Sequence, residues 1–152
     1  MTPDLFEDGQ CEVSVVRAGE RERCMLTWRF HKDRSRSISL SGPFGTLEGA
    51  GDDLFEALNV IRRSLEGQGW FIAVQGARRN TWASGMLRDM IGARHVYVLE
   101  PGRDIRTRED WVDIFAEAEP DQLATVEEQR QYYREWQESA RREWIPPSSA
   151  AT

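Results

Sequence analysis

Between Arg23 and His31 the chain alternates with a period of two. Cys24, Leu26, Trp28 and Phe30 fall on one side, and Arg23, Thr27, Arg29 and His31 on the other. Only an extended strand with one covered and one wet face satisfies that pattern. The preceding run, Glu12 to Ala18, is a second strand, and Gly19-Glu20 reads as the turn of a hairpin. After a basic turn, Lys32 to Arg36, Ile38 and Leu40 alternate with Ser37, Ser39 and Ser41 as a third short strand. A one-sided sheet needs a cover. Leu54, Leu58, Ile61 and Leu65 supply it, at the spacing of one helical face, with Asp52 as the expected N-cap and Gly67 and Gly69 as the stop.

Four glycines, Gly42, Gly45, Gly49 and Gly51, separate the third strand from that helix and read as a plain connection. A phosphate loop there would need a following Gly-Lys-Ser/Thr, and Glu48, Asp52 and Asp53 would repel the anion. Further on, Trp70 to Gln75 is nearly all apolar and suits a strand covered on both faces. Ala77 to Thr81 reads as a polar loop, Ser84 to Met90 as a short helix, and Arg94 to Leu99 as a strand ended by Pro101-Gly102. Asp110 to Phe115 fits a strand or a helical turn capped by Thr107, and the strand is preferred. Thr125 and Glu128 form a capping box for a last helix reaching about Trp144, with Tyr132, Trp136, Ala140 and Trp144 along one face.

The expected fold is therefore α+β: a mostly antiparallel sheet packed by two longer helices and one short helix, in the order β-β-β-α-β-α-β-(β)-α. Its 152 residues match about one domain. Residues 1–145 are expected to form it and 146–152 a flexible tail.

Composition narrows the function. No apolar run approaches the roughly 20 residues of a membrane span, and Met1-Thr2-Pro3-Asp4 does not begin a signal peptide. With 26 acidic against 20 basic residues and a net charge of −6, general binding to nucleic acid is disfavoured. Cys11 and Cys24 lie on adjacent strands, where Cys11 should face a residue near Trp28. They read as two reduced thiols of a cytoplasmic protein. His31 and His95, the only histidines, have no metal-ligand spacing, so no metal or other cofactor is expected.

No catalytic residue emerges either. Ala83-Ser84-Gly85 lacks the preceding glycine of a nucleophile elbow, and the pairs Asp52-Asp53 and Glu127-Glu128 are helix-start acids that complement the dipole. Two binding features stand out. Arg78, Arg79 and Asn80, between a buried strand and a helix start, could hold an anion, and Trp82 beside them has the character of an interface anchor. From Glu109 to Glu138 ten acids face only Arg130 and Arg134, and Glu117, Glu119 and Asp121 form a patch suited to steering a basic partner.

The stretch Gly69-Trp70, Gly76-Ala77-Arg78-Arg79-Asn80, Ser84-Gly85-Met86 and Arg88-Asp89-Met90 continues as Val112-Asp113-Ile114-Phe115 and Thr125-Val126-Glu127-Glu128-Gln129-Arg130. Over this half the chain resembles the immunity proteins encoded beside Rhs-type polymorphic toxins. That resemblance implies a cytoplasmic, non-enzymatic protein that binds one cognate toxin domain and occludes its active site. It carries no site residues with it. Two other readings remain open: a small anionic-ligand or nucleotide-binding domain using the Arg78-Arg79 loop, and an adaptor or secretion chaperone.

Overall fold

The computed structural model describes residues 5–101 and 110–143. Four strands form an antiparallel meander: β1 (Leu5–Arg17), β2 (Glu20–His31), β3 (Arg36–Gly42) and β4 (Gly45–Gly51). Helix α1 (Leu54–Glu66) follows, then the short strand β5 (Phe71–Ile72), which adds to the free edge of β1. The sheet order is β4-β3-β2-β1-β5. A second sheet joins β6 (Thr81–Trp82), β7 (His95–Val98) and β8 (Trp111–Asp113), with helix α2 (Gly85–Ile91) between its first two strands. Helix α3 (Val126–Glu143) closes the described chain. The architecture is α+β with two longer helices and one short one, as the sequence predicts. The tail beyond residue 145, Trp144, Thr107 and Glu109 lie outside the described residues.

Alternation along β2 decides what is buried. Cys24, Leu26 and Trp28 face the core and meet Ile38 and Leu40 of β3 on the same side, while Leu54, Leu58, Ile61 and Leu65 of α1 cover them. The first turn differs from expectation by one residue. Arg17 pairs with Glu20, so the loop is Ala18-Gly19, with φ of 40° and 85°. Positive φ at both central residues gives the turn whose twist matches the strands it joins. Cys11 therefore faces Leu26, and Gly9 faces Trp28. Both cysteines are free thiols, with burial the main cause pushing each one up from its ordinary value.

Gly42 to Gly51 is a hairpin rather than a plain connection. Leu40 pairs with Leu47 and Ile38 with Gly49. Glycine normally weakens a strand, but here it permits contact: a Cβ on Gly49 would lie 2.3 Å from the Ala57 carbonyl oxygen. Helix α1 thus rests directly on the backbone of β4. Its N-cap is Asp53, not Asp52. The Asp53 carboxylate accepts from Glu56 N at 2.9 Å, while Leu54 N donates to Gly92 O at 2.8 Å.

The apolar run Trp70 to Gln75 is a strand only at Phe71–Ile72. Beyond it the backbone is buried but irregular, with Ala73 N donating to Ser14 O, Gln75 N to Ala116 O and Gly76 N to Ile114 O. Ala77 to Thr81 is likewise no solvated loop, since Thr81 is fully buried and its hydroxyl donates to Gln75 O at 2.7 Å. The cause lies in two buried polar side chains. Arg62 of α1 donates through Nη1 to Asn59 Oδ1 (3.0 Å) and Gln129 Oε1 (2.5 Å), and through Nη2 to Ala124 O (2.8 Å). Gln129 of α3 turns its Nε2 toward the carbonyl oxygens of Gly76 (2.9 Å), Arg78 (2.9 Å) and Thr81 (3.0 Å). A regular strand here would direct those carbonyls to a neighbouring strand instead. Burial pushes Arg62 down to about 10, opposed by nearby Glu66, so the guanidinium is charged at neutral pH.

Two predictions follow from this packing. Gly49→Ala should destabilise the protein by about 1–3 kcal/mol through overpacking, read as a lower urea midpoint with little change in slope. Gln129→Leu leaves a buried charge and several carbonyls short of partners and should cost roughly 3–5 kcal/mol. Arg62→Met removes the charge itself and should cost less. The double variant should fall well below the sum of the two in a urea double-mutant cycle, whereas additivity would show that the two side chains act independently.

Candidate functional site

The residues singled out from the sequence are not gathered into one site. Arg78 Nη1 donates to Gln75 Oε1 at 2.7 Å, and burial pushes its guanidinium down from the ordinary value. Arg79 is exposed and lies 5.6 Å from the centre of the Tyr132 ring. Asn80 bonds the β7 end twice: its carbonyl accepts from Leu99 N at 2.7 Å and its Nδ2 donates to Leu99 O at 3.3 Å. At the start of α2 the Leu87 amide is taken by the Ser84 hydroxyl at 3.2 Å. The Arg78–Asn80 segment thus serves the fold with most of its polar groups.

The acidic candidates sit elsewhere. Glu117 is exposed and paired with Arg21 of β2 at 2.6 Å. Glu119 caps a short 3-10 turn, Pro120–Gln122, where its amide N–H donates to Gln122 Oε1 at 3.0 Å. Asp121 is exposed within that turn. His31 bonds the Ser37 hydroxyl at 2.8 Å across β2 and β3, and His95 opens β7 against the Trp111 ring.

Trp82 reaches a cavity. It lines an open cleft of about 600 Å³ between α1 and α3. Trp82 is half-buried in β6 rather than in a polar loop, because its ring is held on two sides. Tyr133 stacks on it (centroids 4.3 Å apart, 7° between planes), and Phe55 meets it edge-on at 5.1 Å. Trp136 extends the stack, 6.2 Å beyond Tyr133, and its Nε1 donates to Glu100 O at 2.8 Å.

Each wall is a helical stripe. On α1 the lining residues Glu56, Asn59, Val60 and Arg63 fall at i, i+3, i+4 and i+7; on α3, Arg130, Tyr133, Arg134 and Gln137 do the same. Each stripe is roughly 10 Å long at the rise of an α-helix. The Arg62–Gln129 bond holds the two helices together beneath the cleft, one residue away from Arg63 and Arg130.

Arg88 enters from α2. Its guanidinium lies 5.0 Å from the Phe55 ring and 5.8 Å from the Trp82 ring, and it is anchored to Asp53 (3.3 Å) and, through Nε, to Ala83 O (2.9 Å). Among the described residues, Arg63, Arg130 and Arg134 enter no ion pair. With Arg88 paired to Asp53, the three remaining guanidiniums against the single lining carboxylate of Glu56 make this cleft basic on an acidic protein. Desolvation raises the Asp53 carboxyl from its ordinary value, opposed by the Glu56 amide and by Arg88.

In the sequence, Arg63, Arg88, Arg130 and Arg134 resemble solvated helix positions. Only the spacing shared by the two stripes hints at a common surface. Among the described residues no group of three or more metal-ligating side chains forms, and no helix is long and apolar enough to cross a membrane. No protein-family model matches this chain, and no curated protein matches it.

Because the folded carboxyl of Asp53 titrates above the unfolded one, the native state holds its proton longer than the unfolded state does. Stability from this group therefore falls as pH rises from the unfolded value, near 3.8, through the raised folded value. Asp53→Asn should remove that falling component. The difference between wild-type and variant urea midpoints, followed upward from about pH 3.5, should shift in favour of the variant.

Proposed function

We propose that this protein works by binding a protein partner, stoichiometrically and without turnover, through the cleft between α1 and α3. One observation carries this reading: the Trp82–Tyr133 stack is ringed by four arginines in an open groove. Tryptophan, tyrosine and arginine are the residue types that dominate binding energy at protein interfaces, because each brings large contact area together with a polar or charged handle. Val60, 40% exposed on the α1 wall, adds apolar surface to the same groove.

The resemblance to immunity proteins supplies the partner in this proposal: a cognate toxin domain, met in the cytoplasm, whose active site the bound protein covers. A second reading, a small anionic ligand, is favoured by the cavity volume, which falls within the ordinary range of small-molecule sites. The cleft suits it better than the Arg78–Asn80 segment, whose polar groups are mostly engaged.

Coexpression in bacteria with the product of the adjoining gene, the toxin in this proposal, tests it. The wild type should restore growth. Arg130→Glu/Arg134→Glu, a change on one wall of the cleft, should lose most of the rescue while keeping a native circular dichroism spectrum. A wild type that fails to protect rejects the toxin role, and full protection by the double variant rejects the cleft as the contact surface.

A further inference from the structure

Resting on the cleft as the contact surface, we propose that the partner segment it takes is acidic, with carboxylates on either side of an apolar side chain. The charge balance points that way: Arg63, Arg130 and Arg134 enter no ion pair among the described residues, Arg88 is already held by Asp53, and one carboxylate lines the cleft. That carboxylate, Glu56, is itself engaged, its Oε2 accepting from Asp52 N at 3.2 Å.

Arg130 and Arg134 stand at i and i+4 on one helix face, a spacing at which like charges repel. With no ion pair to either among the described residues, both guanidiniums are open to an incoming anion. Arg63 faces them from the other wall, so carboxylates spaced along a peptide meet guanidiniums on both sides. The aromatic stack between the walls takes the intervening apolar side chain. Roughly three extended residues span the 10 Å stripes.

A phosphate ligand fits less well. Such sites recruit backbone amides at helix starts, and those beside this cleft are taken. At α1, Asp53 and Gly92 O accept from the first amides; at α3, Val126 N donates to Glu66 and Glu128 N to the Thr125 hydroxyl. Carboxylates at both helix starts would repel a dianion. The cleft offers side-chain donors, chiefly guanidiniums, rather than backbone amides, which suits carboxylates met one at a time.

Fluorescence anisotropy on the full chain tests the idea with three probes: a labelled decapeptide of alternating glutamate and leucine, the same peptide with glutamine for every glutamate, and a labelled ADP. The glutamate peptide should bind, with affinity falling as salt rises from about 50 mM to about 300 mM. Arg130→Glu/Arg134→Glu should weaken it by about tenfold or more. Because these side chains lie at the surface, the variant should keep its fold. Arg63→Gln, on the opposite wall, should weaken binding more modestly.

Equal binding of the glutamate and glutamine peptides, or no loss in the double variant, overturns the proposal. Arginine-dependent binding of ADP without binding of the glutamate peptide overturns it in favour of a phosphate ligand. Failed growth rescue alongside charge-dependent peptide binding removes the toxin and leaves the acidic segment standing. Rescue that depends on the cleft without peptide binding does the reverse.

Discussion

A guanidinium buried without a carboxylate partner must find neutral acceptors, and Arg62 sets that requirement at the centre of this molecule. Leaving such a charge unsatisfied would cost several kcal/mol, a large part of the net stability of any domain this size. The acceptors come from three places in the chain: Asn59 on the same helix, the carbonyl of Ala124, and Gln129 on α3. Gln129 then needs acceptors of its own and finds them at Gly76, Arg78 and Thr81. One buried charge thus dictates the path of residues 73–81 and the contact of the two long helices. It also fixes the separation of the cleft walls, because Arg63 and Arg130 follow Arg62 and Gln129 directly.

The glycines answer to the same geometry. For Arg62 to reach Ala124 and Gln129, α1 must sit deep against the sheet. Gly49 allows this by removing the side chain that would strike the Ala57 carbonyl. Gly76 performs the same service on the other side of the helix, where a Cβ would come within 2.5 Å of Ile114 and 2.9 Å of Leu58. Neither position has a positive φ. Close approach, rather than a turn, is what excludes a side chain at both.

That distinction explains what was legible in advance. Period-two alternation in β2, the apolar stripe of α1 and the Thr125–Glu128 capping box each rest on local spacing: β2 begins three residues before the expected Arg23, α1 lies within two residues of its expected bounds, and α3 starts where the capping box places it. The β4 hairpin escaped because glycine signals a loop and a close contact in the same letter. Arg62 escaped because arginine is assigned to water by type, although its spacing from Leu58 and Leu65 puts it on the apolar stripe that leaves Arg63 outside. The cleft was harder still. Its lining comes from α1, β6, α2 and α3, distant in sequence, and its arginines lie on helix faces that local reasoning assigns to water. Trp82 drew attention as an anchor beside arginines, but those it meets are not Arg78 and Arg79: its guanidinium neighbour is Arg88, and its stacking partner is Tyr133.

On the reading proposed above, the net charge of the chain and the local charge of the cleft differ in sign. A total of −6 describes the field at long range, where it repels an acidic partner. At physiological ionic strength that field is screened beyond about 8 Å, so the partner responds to the cleft only on close approach. On the reading proposed above, encounter gains little from steering, and affinity resides in slow dissociation from the aromatic and guanidinium contacts. A surface of this kind rejects most anions at a distance and retains the one whose shape lets its carboxylates reach both walls. Selectivity then comes from the fixed distance between two helices, and that distance is set by the bond between Arg62 and Gln129.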